Sequence, residues 1–170
     1  QILLASRPAG WVEEANFKLV ETPVPQIADG QVLVRNHFLS LDPYMRGRMN
    51  DAKSYAAPVN LGDVMVGGTA GEVVESKNPK FKVGDKVVGY LGWQLYGVSD
   101  GAMLMKVDDR LIPLSAYLGS VGMPGVTAWY GLMDICAPKA GETVVVTAAS
   151  GAVGSVVGQL AKMKGCRSVG

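Results

Sequence analysis

Residues that bind metals or form disulfides are scarce in this chain. Its 170 residues include two cysteines, Cys136 and Cys166, and a single histidine, His37. A structural zinc site needs several closely spaced Cys or His ligands, so we expect no metal site. The two distant cysteines are expected to be reduced thiols, which is typical of cytoplasmic proteins.

Net charge and long hydrophobic runs are scarce as well. The chain has 16 Lys and Arg against 15 Asp and Glu, a formal net charge of +1. This balance gives no electrostatic basis for binding nucleic acid or an anionic membrane. No apolar run approaches the ~20 residues of a membrane span, and the apolar N-terminal stretch is too short for a signal peptide. Because the first residue is Gln1, we expect the natural start to lie upstream.

The part of the chain before residue 118 is rich in short β-prone segments. Turn signals made of Gly, Pro, Asn and Asp separate them, a pattern that predicts a small antiparallel barrel or sandwich. The predicted strands are 2–5, 17–21, 32–39, 71–75, 86–90 and 103–107. Near residue 118 the short β-prone segments give way to a helical pattern. We therefore place a domain boundary there, between 1–118 and 119–170.

A linking helix is predicted to begin near Gly122. Pro124 suits its first turn, where a missing N–H costs nothing, and Pro138 lies just beyond its end. Its predicted apolar stripe consists of Val126, Trp129, Tyr130 and Met133.

Segment 143–162 is the most informative part of the sequence. A run of β-branched residues at 143–147 predicts a buried parallel strand. Apolar residues then recur with the helical period at Val153, Val156, Val157, Leu160 and Ala161. A glycine turn lies between the two, so the segment predicts the strand–turn–helix unit that opens a dinucleotide-binding fold.

The glycine turn is a candidate phosphate site. Small residues let backbone N–H groups approach a pyrophosphate, and the helix N-terminus favours the anion. The candidate contacts are Ser150, Gly151, Ala152, Val153 and Gly154. Ala148 stands where the stricter G-x-G-x-x-G pattern has its first glycine, so a crossover turn without ligand is the alternative. A second strand is expected at Arg167; the residue that separates NAD from NADP should follow it, which leaves that choice open.

Taken together, the chain resembles the zinc-independent medium-chain dehydrogenases/reductases. The resemblance is carried by segments 41–49, 67–71, 83–87, 122–128 and 148–154. Segment 41–49, with sequence LDPYMRGRM, resembles in particular the curcumin reductase and leukotriene hydroxydehydrogenase (prostaglandin reductase) group. The resemblance extends over essentially all 170 residues. It implies a mixed α/β fold: a GroES-like β-barrel followed by the first strand, turn and helix of a Rossmann domain.

The resemblance also implies an activity, the NADPH-dependent reduction of the C=C bond of α,β-unsaturated ketones and aldehydes. This reaction needs stabilisation of an enolate oxygen and a proton for the α-carbon, and a phenol can supply either without a metal. The resemblance places Tyr44 in the substrate pocket and matches Tyr55 to a second pocket tyrosine. The alternative for each is a tyrosine packed by its ring with its hydroxyl in water. The resemblance also implies that the main proton donor is a tyrosine from the C-terminal half of such enzymes, outside these 170 residues.

Further residues have two interpretations each. Met123 and Thr127 match the family segment that lies against the nicotinamide. Alternatively, Met123 fills the core and the Thr127 hydroxyl satisfies a backbone carbonyl. Arg46 and Arg48 are candidate phosphate contacts, or else residues of a solvated or salt-bridged loop face.

Members of the family run to about twice this length, so we expect the chain to be part of a longer enzyme, itself a homodimer. In these 170 residues the cofactor would be held by a helix N-terminus and a few hydrogen bonds to its phosphates. The free-energy cost of ordering both partners offsets most of this gain, so the expected Kd is about 1 mM or weaker. We therefore expect these 170 residues alone not to turn over. Two alternatives remain open: a quinone reductase of the same superfamily and a non-catalytic GroES-like binding module.

Overall fold

The computed structural model describes residues 1–170, which divide into two units, Gln1–Leu114 and Ser115–Gly170. The fold is mixed α/β, with most of the strands in the first unit. None of its helices has the length and apolar character needed to cross a membrane.

The first unit is built on a five-stranded antiparallel sheet. Its strands are β3 (Val32–Leu39), β4 (Thr69–Ser76), β5 (Lys86–Gly89), β6 (Tyr96–Ser99) and β7 (Met105–Val107), in the order β6-β3-β4-β5-β7. A separate antiparallel pair is formed by β1 (Ile2–Leu4) and β2 (Phe17–Leu19). The prediction of a strand-rich first half is confirmed.

Two elements of the first unit depart from the sequence-based expectation. Segment 44–48, expected to be a loop, is a short helix, α1 (Tyr44–Arg48). Strand β6 was not predicted, because four residues with a central Gly97 show no clear alternation.

Two hydrophobic clusters stabilise the first unit. Val32, Val34, Val73, Phe81 and Val87 pack together on one side of the sheet. The other cluster consists of Leu4, Met45, Met49, Val59 and Met65, with the stacked rings of Phe17 and Trp93 beside it at a centroid distance of 5.3 Å. Each fully buried side chain of this size contributes about 1.5–3 kcal/mol, so β1 and α1 are firmly attached to one another.

A bulge in β3 brings two backbones unusually close. Asn36 pairs with Gly71 and Phe38 with Ala70, which leaves His37 as the extra residue. A Cβ atom at Gly71 would lie 2.2 Å from the backbone oxygen of Arg35. Only glycine fits at this point of β4.

The second unit contains the predicted strand–turn–helix. Strand β8 (Thr143–Val145) is followed by the turn and by helix α3 (Gly154–Met163), and β9 (Arg167–Val169) returns parallel to β8. The strand expected at Arg167 is therefore confirmed. Leu132, Ala161 and Cys166 form the core of the unit, against which Val144, Val157 and Leu160 pack.

The linking helix is present, but only Met133 of its predicted apolar stripe packs against the core of the unit. Helix α2 (Met123–Tyr130) continues into a π-helical segment, Gly131–Cys136. Val126, Trp129 and Tyr130 are 64%, 50% and 55% exposed, whereas the buried residues of α2 are Pro124, Gly125 and Ala128. The small residues decide the packing, because a Cβ atom at Gly125 would lie 1.8 Å from the backbone oxygen of Ser120.

The expectation that the first strand of this unit is buried was also wrong. Thr143 is exposed and Val145 is 71% exposed, with only Val144 half-buried. The strand has one hydrogen-bonded neighbour, β9, and the contacts that α3 makes with this small sheet leave alternate side chains of β8 exposed.

We predict that Gly71→Ala destabilises the first unit by about 1–3 kcal/mol, because the added methyl group meets a backbone oxygen that cannot move without disturbing β3. The matched control is Gly47→Ala in α1, where a Cβ atom has no neighbour within 4 Å. That change should be neutral or stabilising, by up to ~1 kcal/mol. Urea unfolding of both variants tests this, and equal unfolding midpoints would contradict it.

Candidate functional site

Tyr44 owes its position to α1. Pro43 precedes the helix with φ −56° and ψ −31°, so its ring fixes the chain in the helical conformation just before Tyr44. Met45 and Met49, four residues apart, are 5% and 2% exposed and attach one side of α1 to the core. Tyr44 and Arg48 have the same spacing and share the adjacent side. Tyr44 is therefore half-buried and packs against the methionine cluster.

The surroundings of Tyr44 keep its phenol protonated. Burial raises its pKa above 10.0, and so do the carboxylate of Asp42 and the phenols of Tyr90 and Tyr55, whereas the charge of Arg48 lowers it. The hydroxyl has no hydrogen-bond partner within the chain. A neutral phenol with an unused O–H is available to donate to a ligand oxygen at physiological pH.

Tyr55 and Tyr90 contribute to the same surroundings from other parts of the first unit. Tyr55 lies in an irregular segment and is 83% exposed, with no hydrogen bond within the chain. Tyr90 directly follows β5 and is 64% exposed. Both phenols act electrostatically on Tyr44 and raise its pKa. Sequence reasoning missed Tyr90, and its place at a strand end next to a loop is the signal that could have drawn attention to it.

The two arginines of α1 have different environments. Arg46 donates hydrogen bonds to the backbone oxygens of Pro8 and Gly10 and to the side chain of Asn50. It therefore joins α1 to the N-terminal loop. The Arg48 side chain forms no hydrogen bond and no salt bridge within the chain, and its Nε atom is buried without an acceptor. Its charge acts on Tyr44.

A cleft of about 690 Å³ lies on the first unit but does not include these residues. Its lining includes Leu19, Phe38, Leu39 and Leu95 and is mainly apolar. Trp93 lines the cleft and also packs against the methionine cluster. None of the residues predicted to form a site lies in it, so size alone does not identify the functional site.

The glycine turn of the second unit is tight and leaves backbone N–H groups free. Ala148 adopts a left-handed conformation with φ 53°, at the position where the stricter pattern has glycine. A Cβ atom at Gly154 would lie 2.4 Å from the backbone oxygen of Ala148, so this position requires glycine. The N–H groups of Ala152 and Val153, and that of Gly154 at the start of α3, have no acceptor within the chain. The positive end of the helix dipole adds to these free donors.

Met123 and Thr127 lie one turn apart in α2. The Thr127 hydroxyl donates to the backbone oxygen of Met123 at 2.8 Å, as the alternative interpretation expected. Met123 is 49% exposed, so it does not fill the core.

Metal ligands are dispersed in the structure. No group of three or more His, Cys, Asp or Glu side chains is close enough to hold an ion, and both cysteines are free thiols. His37, the bulged residue of β3, lies 3.7 Å from Glu72, which also binds Lys86. The hydrogen bond from Lys86 lowers the pKa of Glu72.

Comparison with known proteins agrees with this architecture. Residues 1–107 match a family model described as the N-terminal domain of oxidoreductase. The chain is 55% identical over 168 residues to the NADPH-dependent curcumin reductase of Escherichia coli (strain K12), covering 99% of the chain and 49% of that protein. It is 50% identical over 165 residues to prostaglandin reductase 1 of Rattus norvegicus, covering 95% of the chain and 48% of that protein.

A solved structure is equally similar. The crystal structure of CurA from Vibrio vulnificus in complex with NADPH superposes with a TM-score of 0.92 at 53% identity, over 99% of this chain and 50% of that one. The chain thus spans about half the length of the relatives it matches. It belongs to the medium-chain dehydrogenase/reductase family, and it corresponds to the N-terminal half of such an enzyme.

We predict that Tyr44 is the tyrosine that ionises at the highest pH. Since the folded state favours its neutral phenol, the corresponding stability is fully present below about pH 10 and is lost as pH rises through the raised pKa. Ultraviolet titration of tyrosinate should show a late step that Tyr44→Phe removes. The control is Tyr130→Phe, which removes an exposed tyrosine and should keep the step. A late step that persists in Tyr44→Phe would contradict the assignment.

Proposed function

We propose that the protein containing this chain is an NADPH-dependent, zinc-independent oxidoreductase that reduces the C=C bond of α,β-unsaturated ketones and aldehydes. The observation that carries the proposal is the half-buried Tyr44, whose hydroxyl is protonated and has no partner within the chain. The similarity to enzymes named curcumin reductase and prostaglandin reductase supports it.

The residues present fit a nicotinamide dinucleotide. The free N–H groups at the start of α3 and the close approach at Gly154 form a cradle for a pyrophosphate, and Ser150, Gly151, Ala152, Val153 and Gly154 would hold it. Met123 and Thr127 would lie against the nicotinamide ring, as the family resemblance implies. NADPH supplies the hydride when it is bound.

The chemical role of the first unit follows from its tyrosines. As the β-carbon of the substrate gains a hydride, negative charge develops on the carbonyl oxygen. Tyr44 donates a hydrogen bond to this oxygen, and its raised pKa keeps the proton on the phenol at neutral pH. Tyr55 and Tyr90 surround the same position with aromatic surface, while a proton for the α-carbon comes from a phenol or from solvent.

The proposal also assigns a separate role to each domain of the chain. Residues 1–118 form the GroES-like substrate domain, and residues 119–170 form the linking helix and the start of the Rossmann domain. The homodimer and the cytoplasmic location of the parent protein rest on the family resemblance, and the free thiols are consistent with that location.

We predict that the full-length protein binds NADPH with micromolar affinity and oxidises it when an enone is added. Tyr44→Phe should lower kcat/KM by about ten-fold to a hundred-fold, because one donor to the developing oxyanion is lost. Tyr130→Phe, which changes an exposed tyrosine, is the control. The 170-residue chain alone should show no turnover.

Fluorescence titration and enone-dependent loss of NADPH absorbance measure these outcomes. If the full-length protein binds no nicotinamide cofactor, the binding-module interpretation replaces the reductase. If it reduces quinones but no enone, the substrate class is wrong while the cofactor assignment stands.

We further predict that Gly154→Ala in the full-length protein weakens NADPH binding at least ~10-fold, or about 1.4 kcal/mol, because the methyl group displaces the Ala148 carbonyl and the turn around it. The matched control is Gly151→Ala, where a Cβ atom would lie 3.2 Å from the same oxygen and a small shift accommodates it. Its Kd should change much less. Equal Kd values for the two variants would show that the turn does not hold the cofactor.

A further inference from the structure

The two arginines of α1 are close in sequence but are used differently by the fold. All parts of the Arg46 guanidinium donate: Nε and Nη2 to the oxygen of Gly10 at 3.2 and 2.8 Å, Nη2 also to Pro8, and Nη1 to Asn50. The Arg48 guanidinium donates no hydrogen bond within the chain. The packing of the first unit therefore explains Arg46 and leaves Arg48 without a role.

The Arg48 guanidinium is unpaired within the chain, and its Nε atom is buried without an acceptor. A buried N–H group without an acceptor is unfavourable, and native structures rarely contain one without a reason. No carboxylate compensates the charge, since the four salt bridges of the structure involve other residues. An unpaired, partly desolvated guanidinium is a strong binding group for an anionic oxygen.

The location of Arg48 connects it to the proposed reaction site. It lies one helical turn after Tyr44, on the same side of α1, and both are held in place by the buried Met45 and Met49. The hydroxyl of Tyr44 also lacks an acceptor. Two unused donors, one neutral and one cationic, thus lie one helical turn apart on the same side of α1, and the charge of Arg48 acts on the Tyr44 phenol.

We propose that Arg48 binds an anionic oxygen of the substrate, next to the oxygen donor Tyr44. This inference rests on the proposed reductase function and names a further residue for it. Two substrate oxygens have the required chemistry. One is the enolate oxygen that develops during reduction, and the other is a fixed carboxylate elsewhere on the substrate.

The test compares Arg48→Gln and Arg48→Lys in the full-length protein with a matched pair of enones, 4-phenylbut-3-en-2-one and the same ketone with a carboxylate on its ring. If Arg48 serves the enolate, Arg48→Gln lowers kcat about ten-fold or more for both ketones. If it serves a carboxylate, KM rises about ten-fold or more for the acidic ketone only. Arg48→Lys should restore part of either loss, since it keeps the charge.

A second readout separates this role from a structural one. Removing the charge of Arg48 should raise the pKa of Tyr44 further in the tyrosinate titration. It should leave Tm nearly unchanged, since the Arg48 guanidinium forms no hydrogen bond or salt bridge within the chain and Gln keeps much of the aliphatic stem. Arg46→Gln is the matched control: it should lower Tm, because it releases the N-terminal loop, and leave the ratio of the two KM values unchanged.

Unchanged kinetics of Arg48→Gln with both ketones would overturn the inference. So would a drop in Tm as large as that of Arg46→Gln together with an unaltered pKa of Tyr44, since that result assigns Arg48 to folding. In either case the wild-type protein still reduces enones. Failure of the wild-type protein to reduce either ketone would instead overturn the proposed function.

Discussion

The burial of two methionines, Met45 and Met49, is the interaction on which the candidate site depends. They pack against Leu4, Val59 and Met65, and each contributes on the order of 1.5–3 kcal/mol. A five-residue helix is not stable in water by itself, so α1 forms because its methionines are packed in the core. Residues next to Met45 and Met49 in sequence lie on the adjacent side of the helix, so the packing of the methionines also sets the positions of Tyr44 and Arg48.

The second unit depends on a constraint of a different kind, the close approach of backbone to backbone in the glycine turn. The Ala148 carbonyl lies where a side chain on Gly154 would be, and Ala148 itself takes a conformation that costs a non-glycine residue about 1–3 kcal/mol. The turn keeps this strain while leaving the N–H groups of Ala152 and Val153 unpaired. Both features suit the proposed binding of a pyrophosphate at this turn.

Sequence patterns predicted the elements whose signals are local and repeated. Strand β3 was predicted with its observed bounds, and the strand–turn–helix at 143–163 was found because β-branched, small and helical-period residues follow one another. Helix α1 was missed since one turn and a half, with Gly47 inside it, is too short to show a period. The buried side of α2 was predicted wrongly because large apolar residues were given more weight than Pro124, Gly125 and Ala128, whose small size permits the closest contact.

The site residues show a similar limit. Tyr44 could be singled out from its segment, but the nearness of Tyr90 depends on the pairing of distant strands. Arg46 and Arg48 are separated only by Gly47, and nothing in that short pattern tells which one is bound by backbone oxygens and which is unpaired. Such differences arise from tertiary packing, which local sequence does not encode.

The hydrogen bonds of Arg46 have a consequence for motion. They join α1 to the loop at Pro8 and Gly10, while Met45 and Met49 join it to β1 through Leu4. Unfolding of α1 therefore requires loss of the hydrogen bonds to the N-terminal loop and of the methionine packing at the same time. These parts behave as one cooperative unit rather than as a loop that frays independently. Tyr44 is accordingly held on a rigid platform, whereas Tyr55 lies in an exposed, irregular segment outside this unit.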